Sequence, residues 1–238
     1  MLSLAGFLYS DRFYSIEAST AFCNKIRNPI VLMKSSLVSL IALSSLFAAS
    51  TVHAEGLLGK RYVEAEYNFS SYENVDLSGF GVAVNIPLSI DDETFNYDLV
   101  ANLSSVQDDE NWMDYERVAA SGGLRFFTTE NDFNGITFNP YTEFLVGFAD
   151  VDNGGSSDSS FTFSIGVGAE FIVSEAMTVR PYFNYSDATS FEDGGVEAFG
   201  IEANLWLNDS NNIGVYAEGE SRDDKHVDVF GINYRFAF

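Results

Sequence analysis

Cysteine is all but missing from this chain. Its one residue, Cys23, lies upstream of the segment that carries the fold, so a disulfide framework is excluded. Basic residues are scarce: twelve lysines and arginines face 35 acids, for a net charge of −23. Phosphate binding needs a basic footprint, so nucleic acid is excluded as a partner. Histidine occurs twice, and beyond residue 54 only His226 remains for imidazole chemistry. Long apolar runs are confined to residues 37–49, and no helical apolar stripe of useful length follows residue 55.

What is present first is a leader. Met33 and Lys34 make a short positive start, residues 37–49 an apolar core, and Val52, His53 and Ala54 a short-residue cleavage site. Residues 33–54 are expected to be a signal peptide, with Glu55 first in the mature chain. The apolar run is too short to span the roughly 30 Å of a bilayer core as a helix. No lipobox cysteine stands at the cleavage site, which argues against a lipid anchor. Residues 1–32 precede a complete signal and are expected to be a gene-start extension. Removing residues 1–54 takes away four bases and two acids, so residues 55–238 carry 33 acids against 8 bases. Their length suits one domain.

Ten segments of alternating hydrophobicity follow, separated by acidic, Gly-, Ser- and Asn-rich breaks. The clearest sets Phe161, Phe163, Ile165, Val167, Ala169 and Phe171 against Thr162, Ser164, Gly166, Gly168 and Glu170. In none does a charge fall in the middle of the apolar face, although the chain is strongly acidic. Lipid explains this, because a basic residue facing lipid at mid-depth costs roughly 2–4 kcal/mol. A soluble lipocalin-like barrel would put its aromatics inside and its charges outside. Here glycine and serine share the charged face, as a crowded interior requires. Outward aromatics cluster near the strand ends. Phe69, Phe80, Phe148, Phe161, Tyr185 and Phe199 make one expected girdle, and Phe95, Phe126, Phe171 and Phe236 the other.

The last segment carries a resemblance. Phe230, Ile232, Tyr234, Phe236 and Phe238 alternate with small or polar residues, and the chain stops on an aromatic. An amphipathic C-terminal strand closing on Phe resembles the assembly signal of bacterial outer-membrane β-barrels, the small porin-like and OmpA-type proteins. The resemblance implies an all-β fold: a transmembrane antiparallel up-and-down β-barrel of ten strands, with eight as the alternative. It implies location in the outer membrane of a Gram-negative-type bacterium with both termini periplasmic. The implied partners are outer-membrane lipid and lipopolysaccharide, with the barrel-assembly machinery during biogenesis.

The inner face supplies the candidate site residues, expected to form a lumen charge network. Its acids are Glu64, Glu66, Asp98, Glu143, Glu170, Glu202 and Glu218, and its bases Arg117, Arg125, Arg180 and Arg235. Isolated charges in a narrow interior are costly, so they should pair. Counting from the turns pairs Arg180 with Glu170 and Arg125 with Glu143, and barrel closure pairs Arg235 with Glu64. Glu66, Glu202 and Glu218 would leave an acidic upper lumen that admits small cations.

Other chemistry is thin. The external loops are expected near residues 71–76, 106–113, 150–159, 186–195 and 219–225, the last including Glu220, and are expected to hold most of the unpaired acids: Asp108, Asp109, Glu110, Asp150, Asp152, Asp158, Glu192, Asp193, Asp223 and Asp224. Residues 150–154 look like the opening of a calcium loop, but Phe161 stands where the closing Glu belongs. Omptin proteases resemble the chain in having ten strands and use Asp/His pairs near the outer rim. His226 and Asp228 are expected on the inward side there, yet the loops are too short for the omptin cleft. No enzyme activity, cofactor or metal site is expected. The leading function is a narrow porin-like or structural barrel that passes at most water or small cations. A surface interaction protein and an omptin-like enzyme are the alternatives.

Overall fold

The computed structural model describes residues 56–72, 75–88, 96–108, 115–128, 131–133, 135–153, 156–188, 195–222 and 225–238. The expected leader, the extension before it and Glu55 lie outside them. So do Phe95, Asp109, Glu110, Glu192, Asp193, Asp223 and Asp224.

Among the described residues eleven strands run in chain order: β1 (Tyr62–Tyr72), β2 (Val75–Leu88), β3 (Asn96–Asp108), β4 (Tyr115–Phe127), β5 (Asn131–Phe133), β6 (Ile136–Asn153), β7 (Ser157–Ser174), β8 (Met177–Ala188), β9 (Val196–Asn208), β10 (Asn211–Arg222) and β11 (Lys225–Ala237). Ten of them are long and form a closed antiparallel barrel. Each pairs with its neighbours in sequence, β4 pairs with β6, and β1 closes on β11. The short β5 was not expected; it folds back on the start of β6, Asn131 opposite Phe138, outside the ring. Closure gives each of the ten long strands a partner on both sides, which a sheet in lipid requires.

Alternation decides which side of each strand is inside. Valine, leucine and phenylalanine at every second position face outward and stay exposed, Val146 at 55 % and Phe148 at 66 % among them. The intervening positions are buried and mostly polar, so the barrel is inside-out relative to a soluble protein. Such a belt is stable against lipid, not water. Its aromatics pair across strands: Phe69 stacks on Phe230 at 5.8 Å, and Phe148 meets Phe161 edge-on at 5.6 Å. Toward the opposite rim Phe126 lies edge-on to Tyr97 at 5.2 Å, and Phe138 stacks on Phe171 at 5.9 Å. Phe230, Ile232, Phe236 and Phe238 all face outward, and the Phe238 N–H donates to the Arg61 carbonyl at 3.1 Å.

Inside, large side chains lie over glycines of the adjacent strand. Tyr141, Tyr182 and Tyr216 stand directly opposite Gly168, Gly200 and Gly231. A Cβ on any of the three would collide with the facing tyrosine ring. This is why glycine recurs on the inner face: an up-and-down ring of this size fills only if small residues alternate with large.

Candidate functional site

The lumen has two unlike mouths. At one, here the terminal mouth, lie residues 56–61, Phe238 and the short turns joining β7 to β8 and β9 to β10. At the other, the loop mouth, lie the far ends of the same strands. Strand register places Arg125, Arg180 and Arg235 toward the terminal mouth.

These three arginines and three glutamates form a buried network. Arg125 on β4 donates to Glu143 on β6 through Nε at 2.9 Å and Nη2 at 2.6 Å, both to the one oxygen Oε2, as charge-assisted hydrogen bonds. Arg235 on β11 donates to Glu64 on β1 and to Glu202 on β9. It reaches Asn204 and Asn212 as well. Glu202 lies between two guanidiniums, because Arg180 also donates to it. The Asn233 amide adds a further donor at 2.7 Å. Tyr141 sits between Arg125 and Arg180, 5.6 and 5.9 Å from its ring, and Arg235 lies 5.8 Å from Tyr62.

Two assignments change. Arg180 bonds Glu202, not the expected Glu170. It has an acid on each flanking strand, and its register on β9 is Arg180 to Glu202. Glu202 therefore belongs to this network and not to an acidic upper lumen. Glu170 instead accepts the backbone N–H of Leu57 at 2.7 Å and of Leu58 at 3.4 Å. Beside it, Asp98 accepts the Gly59 N–H at 3.1 Å.

Those donors belong to a feature the alternation argument missed. Residues 56–60 fold into the terminal mouth as a tight turn, closed by Lys60 N–H to the Leu57 carbonyl at 3.3 Å. Leu57 is wholly buried against Tyr62, Trp206 and Ala237. The Lys60 ammonium lies 4.4 Å from the Trp206 ring, and Asn85 donates to the Lys60 carbonyl at 2.7 Å. Two features make this geometry possible. A Cβ on Gly56 would collide with the Glu170 carboxylate, and Gly59 takes a positive φ of 78°. The sequence cue was there, two leucines flanked by glycines just before the first strand, but it has no strand periodicity.

Farther up, Glu66 accepts from Tyr216 at 2.6 Å and from Asn68 at 2.8 Å. Glu218 is hydrogen-bonded to Tyr182 and Glu220, and Arg117 lies within electrostatic reach of Glu220 and Tyr115. Glu220, expected in a loop, is buried on β10, and Asp108, also expected in a loop, is buried on β3. The strands run farther than their composition indicates. Interleaved with this layer, Leu77, Val106, Val151, Val196, Val227 and Val229 face inward and are buried toward the loop mouth, Val106 and Val151 opposite Arg117 and Val229 opposite Glu218.

The remaining candidates separate. Asp150 and Asp152 lie in the extended part of β6, exposed on the outer face opposite Ser159 and Ser157. A strand cannot wrap a calcium ion, and no group of metal-ligating side chains occurs among the described residues. His226 and Asp228 are 3.1 Å apart, but they share the outward parity of Phe230 and are exposed. The expected inward placement was wrong by one position, and an omptin-like pair lining the lumen is not formed.

Comparison with known proteins adds the following. No protein-family model matches the chain, and no curated protein matches it in sequence. Among solved structures, the β domain of the Bordetella autotransporter BrkA is similar at a TM-score of 0.48 and 10 % identity, over 75 % of this chain and 99 % of that one. An outer-membrane channel from Pseudomonas putida is similar at 0.43 and 9 % identity, over 80 % and 100 %. The KdgM porin, solved with oligogalacturonate, is similar at 0.40 and 10 % identity, over 74 % and 99 %.

Proposed function

We propose that the protein is an integral outer-membrane β-barrel that passes at most water or small cations. The observation that supports this reading is a lumen filled at both ends. Arginine–glutamate pairs and the turn of residues 56–60 occupy the terminal mouth, and inward valines and Leu77 occupy the loop mouth. The apolar belt suits outer-membrane lipid and lipopolysaccharide, and the strand ending at Phe238 suits recognition by the barrel-assembly machinery. The terminal mouth is then periplasmic. We assign the chain no catalytic role. Single-channel recording of the refolded protein in a planar bilayer tests the reading. Low or no conductance is expected; large, weakly selective conductance in the unmodified protein would refute it.

A further inference from the structure

The charges that the strands carry at the terminal mouth do not balance among themselves. Arg125, Arg180 and Arg235 are matched by Glu143, Glu202 and Glu64. Asp98 and Glu170 are two further carboxylates, each fully buried. The donors that contact them are the N–H groups of Leu57, Leu58 and Gly59, with Asn85 also on Asp98. A buried carboxylate needs donors or a cation, and here a stretch of main chain supplies the donors.

We propose that residues 56–60 are a displaceable gate over the terminal mouth, and that withdrawing them uncovers Asp98 and Glu170 as the cation-attracting entrance of the barrel. The inference rests on the narrow-barrel reading above. The turn is built to seat: Gly56 leaves room for the Glu170 carboxylate, and Gly59 supplies the left-handed bend. It bridges the mouth, because its partners Asn85, Asp98, Glu170 and Trp206 stand on β2, β3, β7 and β9, on different sides of the ring. It is also built to leave. The turn joins no strand ladder, so its departure breaks no strand pairing and no arginine–glutamate pair. With it gone, the mouth keeps three balanced ion pairs and gains two exposed carboxylates, a surplus that draws cations and repels anions.

The test uses the full chain in planar bilayers under a potassium chloride gradient. Gly56→Val drives a side chain into Glu170, and Leu57→Asp sets a like charge beside it; neither position lies on a barrel strand. Displacement is read separately by labelling Leu57→Cys, in a Cys23→Ser background, with a membrane-impermeant maleimide. With Gly56→Val present, labelling should run at least about tenfold faster, as for a locally opened segment. Both displacing variants should carry more cation current than the wild type. Adding Asp98→Asn and Glu170→Gln should lower their cation preference. Fast labelling without added current, or an anion-selective current, overturns the gate. So does labelling left unchanged by Gly56→Val. Should neither variant fold, Leu57→Cys alone decides, and labelling no faster than at Val229→Cys, sealed in the loop mouth, overturns it. The two readings fail differently. If Arg180→Ala with Glu202→Ala conducts equally with the turn seated or displaced, the gate alone is refuted. If no current flows with both the pair and the turn removed, there is no path to gate and the gate falls while the narrow-barrel reading stands; large, weakly selective conductance in the unmodified protein is what refutes that reading.

Discussion

Replacing Arg235 tests whether the lumen is held by its ion pairs. The guanidinium is 1 % exposed and joins four strands, reaching from β11 to Glu64 on β1, to Glu202 and Asn204 on β9, and to Asn212 on β10. In Arg235→Ala the two carboxylates suffer unequally. Glu202 keeps Arg180 and Asn233. Glu64 loses its cation while remaining buried. One stranded carboxylate corresponds to a loss of roughly 3–5 kcal/mol. Arg235→Lys keeps the charge but not the fork and should lose less, about 1.5–3 kcal/mol for each charged hydrogen bond it fails to make. Adding Glu64→Gln to Arg235→Ala removes the orphan, so the pair should couple by about 0.5–3 kcal/mol in a double-mutant cycle. Urea unfolding of the refolded barrel measures this, followed by heat-modifiable gel mobility and by the fluorescence of Trp206, which is buried at the same mouth. A loss below about 1 kcal/mol for Arg235→Ala, the level of a solvated surface pair, would mean that water fills the terminal mouth and that the network does not hold it closed.

Two further outcomes follow from the same structure. Gly231→Val should push the Tyr216 ring off its seat and away from Glu66, lowering stability by roughly 1–3 kcal/mol as overpacking does; the same urea titration should show part of the loss recovered when Tyr216→Ala is added. Val146→Arg places a charge on the exposed outer face of β6 and should cost about 2–4 kcal/mol if that face meets lipid at mid-depth. Equal yields of heat-modifiable barrel from Val146→Arg and the wild type after refolding into bilayers would contradict a lipid-facing belt.

Much of the architecture was legible because a strand has a period of two. Phe163 and Ser164 must point to opposite sides, so one face of each segment identified itself as apolar before any pairing was known. The same period placed Glu64, Arg125, Glu143 and Arg235 on the inner face. It failed where composition changed within a continuing strand. Asp108 and Glu220 lie in polar stretches read as loops, yet hydrogen-bonded pairing carries β3 and β10 past them. His226 and Asp228 were put on the wrong face, although the parity of Phe230 already placed them outside.

Sequence alone determined an inside-out barrel of ten long strands, since alternation, small inward residues and the lack of mid-face charges are local properties that each strand carries by itself. Only the tertiary structure decided which charges meet. An inward arginine has a neighbour on each side, and the choice depends on where other groups sit around the ring: Arg180 turns to Glu202, a carboxylate shared with Arg235, while Glu170 receives the N–H groups of a turn more than a hundred residues away in sequence. That turn, residues 56–60, has no periodicity to betray it. Its place follows from a buried carboxylate in need of donors and a ring just wide enough to admit a backbone, and both exist only once the barrel has closed.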